Sequence, residues 1–132
     1  MTMRTLFLQP PTFDGFDGGA GSRYQARREI KSFWYPTWLA QPAALVPGSR
    51  LIDAPPANMG MEPILEDVKN RDLVVLHTST PSFAKDVQVA QMLKDVNPNL
   101  KIGMVGAKVA VQPEESLLKG APIDFVARNE FD

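Results

Sequence analysis

Between Asp72 and Pro81 the chain reads Asp-Leu-Val-Val-Leu-His-Thr-Ser-Thr-Pro, an uninterrupted apolar run that stops abruptly at three hydroxyl side chains and a proline. Leu73 to Leu76 has no polar alternation, as expected of a strand covered on both faces of a parallel sheet. It reads as the central strand. First-turn N–H groups of a helix have no partner, so Pro81, which lacks one, suits the first position of a following helix with Thr80 as its cap. Ligands of open α/β sheets bind beyond the carboxyl ends of the strands, where the strand order reverses. Thr78, Ser79 and Thr80 would stand at such an edge.

Other short apolar runs repeat this plan. Arg4 to Gln9 reads as a first strand ended by Pro10 and Pro11, which cannot donate to a sheet ladder. Ser49 to Asp53 is a second strand, again followed by prolines. Lys101 to Val105 is a fourth, with Gly106-Ala107-Lys108 as the turn at its carboxyl end, where backbone can approach a ligand closely. Ile123 to Ala127 is a fifth.

Helical patterns lie between these strands. Pro36 can open a helix through Leu39, Ala43 and Val46, which Pro42 must kink or split. A short helix spans Pro63 to Asn70. Phe83, Val87, Ala90, Leu93 and Val96 follow the helical period until Asn97-Pro98-Asn99 ends it. Pro113 opens another helix, with Glu114 and Glu115 in its first turn and Gly120 as its cap. Five strands alternating with helices imply a flavodoxin-like three-layer α/β sandwich whose five-stranded parallel sheet has the order 2-1-3-4-5.

At 132 residues the chain suits a single domain with one core. Its 14 basic and 15 acidic residues leave a net charge of −1, without the basic face that nucleic acid requires. No apolar stretch approaches the roughly 20 residues of a membrane span, and the chain starts without a signal-peptide pattern, so the cytoplasm is the expected compartment. The absence of cysteine excludes disulfides, thiolate zinc sites and an iron–sulfur cluster held by this chain.

Three segments carry candidate chemistry. The loop Thr12 to Ser22 is glycine-rich, but its glycine order is not a dinucleotide fingerprint and no helical pattern follows directly. Arg23, Arg27, Arg28 and Lys31 fall mostly on one face if helical, either solvated or set for a phosphate or a partner domain. Phe33-Trp-Tyr-Pro-Thr-Trp38 gathers both tryptophans; these aromatics read as core, with a stacking or interdomain surface as the alternative. His77, the single histidine, reads as a satisfied structural residue, since one imidazole seldom makes a metal site.

A phosphoacceptor domain would need acidic residues where Gln9-Pro10-Pro11 and His77-Thr78 stand, and a flavodoxin would need more hydroxyls after the first strand. The proline pair, Asp53-Ala-Pro, Thr78-Ser-Thr, the glycine turn followed by Pro113-Glu114-Glu115, and an acidic final tetrapeptide together resemble the amino-terminal cobalamin-binding domain of radical S-adenosylmethionine enzymes. The resemblance covers the whole chain. Phe13-Asp-Gly-Phe-Asp-Gly-Gly-Ala-Gly-Ser-Arg-Tyr24 and the aromatic cluster are similar to the hopanoid-biosynthesis-associated member. Family members commonly end the fourth strand in Gly-Gly-Pro-His and the fifth in Gly-Glu-Gly-Glu, where this chain has Val105-Gly-Ala-Lys108 and Asn129-Glu-Phe-Asp132.

The resemblance implies that Pro10, Pro11, Thr78, Ser79, Thr80, Gly106, Lys108, Asn129 and Glu130 line a cobalamin site, with the cobalt facing the loop after the third strand. The Asp-x-His-x-x-Gly motif is absent, so no histidine lower ligand is expected. It further implies a full-length enzyme in which a cysteine-bearing barrel beyond residue 132 holds the iron–sulfur cluster, cleaves S-adenosylmethionine and modifies a hopanoid. This chain alone would bind cofactor without catalysis. The alternative is a non-catalytic interaction module whose cofactor site has decayed.

Overall fold

The computed structural model describes residues 3–11, 37–54, 57, 59–79, 82–119 and 122–128. Its elements are β1 (Thr5–Gln9), α1 (Thr37–Leu45), β2 (Arg50–Asp53), α2 (Met61–Val68), β3 (Leu73–His77), α3 (Phe83–Val96), β4 (Lys101–Val105), α4 (Ala107–Val111), α5 (Pro113–Lys119) and β5 (Phe125–Val126). All strand pairs are parallel, in the order β2-β1-β3-β4-β5. This is the expected flavodoxin-like α/β arrangement.

Alternation along the strands builds two cores. Leu6, Leu8, Ile52, Val74, Leu76, Ile102 and Met104 pack with Ile64 and Val68 of α2, Val89, Ala90 and Leu93 of α3, and Val109 of α4. Phe7, Val75 and Val105 face the other way and pack with Leu39 and Trp38 of α1. The face switch follows from chain direction. From β1 the chain steps outward to β2, then returns past β1 to β3, β4 and β5; right-handed crossovers in opposite directions require helices on opposite faces. The strand order therefore reverses between β1 and β3, which opens the crevice characteristic of such sheets at their carboxyl ends.

Several boundaries differ from the sequence reading. α2 begins at Met61, and Pro63 falls within its first turn, where no N–H is needed. α3 begins at Phe83 with Ser82 at its N-cap, so its first position is not Pro81. Ala107 and Lys108 belong to α4 and not to a turn. α1 is not split at Pro42, whose ring is buried. The fifth strand shortens to Phe125–Val126. Gly103 of β4 pairs with Phe125, whose ring occupies the space a side chain at Gly103 would need.

The amino edge of the sheet is closed by paired charges. Asp67 accepts from Arg50 at 2.7 Å and from Arg71 at 2.7 Å, Arg71 also donates to the Thr5 carbonyl, and Arg4 pairs with Asp72. Asn97, capping α3, donates through Nδ2 to the carbonyls of Val68 and Arg71 and so ties α3 to the end of α2. Among the described residues, no helix is long and apolar enough to cross a membrane.

Candidate functional site

The carboxyl edge is bonded differently. Gln9 ends β1 opposite Asp53 of β2, and the pairing of Leu8 with Leu76 brings Gln9 beside His77 of β3. Residues in register on parallel strands project to one face. Asp53, Gln9 and His77 thus form a polar row across three adjacent strands, on the face that α1 covers. Trp38 of α1 lies against His77 with ring centroids 5.2 Å apart. Gln9 Oε1, Asp53 Oδ1, His77 Nδ1 and Trp38 Nε1 are all buried without a hydrogen-bond partner. Each such atom costs on the order of 1–3 kcal/mol. Among the described residues these four are the buried side-chain polar atoms left without a partner, and they gather at the reversal point of the sheet.

Burial sets the charge of the row. It pushes the Asp53 carboxyl up to about 6 and the His77 imidazole down to about 4, so at neutral pH the histidine is uncharged. The row offers one donor, Trp38 Nε1–H, two acceptors, Gln9 Oε1 and Asp53 Oδ1, and an imidazole nitrogen that takes either role with its tautomer. The expectation of a satisfied structural histidine is corrected: among the described residues Nδ1 has no partner.

A second cluster lies at the start of α3. Thr78 and Ser79 are buried at the end of β3, but their hydroxyls bond within the protein. Thr78 Oγ1 donates to Asp86 Oδ2 at 2.7 Å, Ser82 Oγ donates to the same oxygen at 2.8 Å, and the Ser79 and Ser82 hydroxyls are 2.7 Å apart. Asp86 is buried, which raises its carboxyl to about 7 against the opposing effect of the two hydroxyls. This network ties Thr78 and Ser79 to the start of α3, so these two residues would meet a ligand mainly through backbone. Ser82 and Asp86 were absent from the sequence reading, although a hydroxyl and a carboxylate four positions apart in a helical pattern share one face.

Gly106 is placed by the same loop. Its φ is +122°, and a Cβ there would collide with the Thr78 carbonyl oxygen. The glycine thus admits the protein's own backbone, which the Thr78 N–H also anchors by donating to the Val105 carbonyl at 2.9 Å. Lys108 lies on α4 with its ammonium 5.3 Å from the Phe83 ring centroid and bonded to Gln112 at 2.6 Å. Pro10 and Pro11 are buried directly after β1. Thr80, Asn129 and Glu130 lie outside the described residues, as do the glycine-rich loop, the basic run and the Gly120 cap. The structure brings Thr78, Ser79 and Gly106 together; the polar row beside them was legible only as separate strand ends.

Among the described residues there is no group of three or more His, Asp or Glu that could hold a metal ion. No family model matches the chain, and neither a curated protein nor a solved structure is found to be similar to it.

Proposed function

We propose that this chain is a cobalamin-binding domain of the radical S-adenosylmethionine type, which holds the corrin over the carboxyl ends of β1 and β3. The observation that supports this most is the gathering of four buried, unpartnered polar atoms at the reversal point of the sheet. A corrin is rimmed with uncharged amide groups, which a row of mixed donors and acceptors fits. When bound, cobalamin supplies reactive cobalt, and the protein's part is to bind and orient it. In this reading the Pro10–Pro11 exit, the Thr78–Ser79 backbone and Gly106 shape the floor. Lys108, Asn129 and Glu130 stand where the family motifs end.

With no cysteine here, the iron–sulfur cluster and S-adenosylmethionine belong to a separate catalytic barrel, and the resemblance assigns a hopanoid as the substrate. Titration with hydroxocobalamin, followed by its visible absorbance, is expected to saturate at one equivalent. A spectrum unchanged by the protein would overturn the proposal.

A docking role has support of its own. Val111 of α4 and Leu118 of α5 are 78% and 85% exposed, and Leu117 and Phe125 are exposed nearby in the chain's last elements. Aspartate at Val111 and Leu118 is expected to abolish association with a catalytic barrel while leaving cofactor affinity unchanged.

A further inference from the structure

We infer that the row Asp53–Gln9–His77, with Trp38 against it, recognises a primary carboxamide. A carboxamide carries one carbonyl acceptor and two N–H donors on a flat, uncharged group. Facing it are one indole N–H, two side-chain oxygens and one imidazole nitrogen, none of which has a partner among the described residues. The Trp38 N–H can serve the carbonyl, while Gln9 Oε1 and its neighbours receive the two amide hydrogens.

Geometry restricts the alternatives. Adjacent strands are about 4.8 Å apart, so three neighbouring strand ends spread their polar atoms over a width that one water molecule does not span. A phosphate or carboxylate would place acceptors against the acceptors of Gln9 and Asp53, and the four described residues of the row include no lysine or arginine to offset that. A bare cation would face the Trp38 N–H. Asp53, at the β2 end of the row, is only half buried. This inference rests on the proposed function for the identity of the natural ligand, whose rim carries such groups, but the row can be probed without it.

His77 is the sole histidine, so its imidazole nitrogens give one unambiguous set of nitrogen resonances. Benzamide is expected to shift the His77 Nδ1 resonance saturably, and benzoate, the same ring bearing a carboxylate, to bind at least about ten-fold more weakly. Gln9→Met, with its fold verified by circular dichroism, is expected to lose the benzamide response. No shift with benzamide, an equal response to benzoate, or an undiminished response in Gln9→Met would overturn the inference. Hydroxocobalamin separates the two claims. Should it bind wild type and Gln9→Met equally, the row is refuted while cofactor binding stands. Should benzamide respond as expected and hydroxocobalamin fail to bind, the row stands and the cobalamin reading falls.

Discussion

Asp86 accepts hydroxyl hydrogen bonds from Thr78 and Ser82 in a site where burial lifts its carboxyl to about 7. The folded protein therefore retains a proton that the unfolded chain releases near the ordinary carboxyl range. Its contribution to stability is complete at low pH and declines as pH rises towards about 7. Asp53 acts in the same sense up to about 6. His77 acts oppositely: lowered to about 4, it stays neutral while the unfolded chain takes up a proton below 6.5, which costs stability as pH falls. Above pH 6.5 Asp86 is the one of these three still titrating in the fold. The urea midpoint of wild type is expected to fall between pH 6.5 and 8, and that of Asp86→Asn to stay flat. A parallel decline in both would contradict this assignment. At Gly106, alanine meets both an unfavourable φ and the Thr78 carbonyl, so Gly106→Ala is expected to destabilise by at least about 2 kcal/mol in urea unfolding.

At the level of elements, apolar period and punctuation located the five strands and the helices α1, α2, α3 and α5 because these signals are local, but not α4, where Gly106-Ala107-Lys108 reads as a turn. The run Leu73–His77 had no reading other than a buried strand, and Asn97-Pro98-Asn99 stopped α3 at Val96 as expected. Boundaries moved where a tertiary contact decided them. Val96 is exposed despite its place in the helical period, and Asp86 takes a buried position in that helix because two hydroxyls from the preceding loop meet it. In the last strand only two residues pair, and the ring of one of them, Phe125, lies across Gly103 of β4. Gly103→Ala is expected to displace that ring at a cost of about 1–3 kcal/mol, and Phe125→Leu in the same chain to recover part of it, a coupling that a double-mutant cycle in urea measures. Additive effects would show that the ring does not hold β5 in place.

For the whole molecule, the strand order 2-1-3-4-5 was the one expected of five strands alternating with helices, so the crevice between the ends of β1 and β3 was legible in the sequence. The side chains at that edge were not. Gln9, Asp53 and His77 are 44 and 24 positions apart in turn and meet only through sheet register, and Trp38 joins them from a helix on one face. Conversely, the hydroxyls of Thr78 and Ser79 stood out in the sequence, yet are bonded to the protein itself. Among the described residues, the amino edge is paired and the four unpartnered buried polar atoms lie at the carboxyl edge, where the proposed cofactor site is. Amide hydrogen exchange with and without hydroxocobalamin tests this most directly. Slowed exchange confined to the ends of β1 and β3, the loop after β3 and the start of α4 is expected; unchanged exchange there, or protection at the amino edge around Arg4, Arg50 and Arg71, would contradict it.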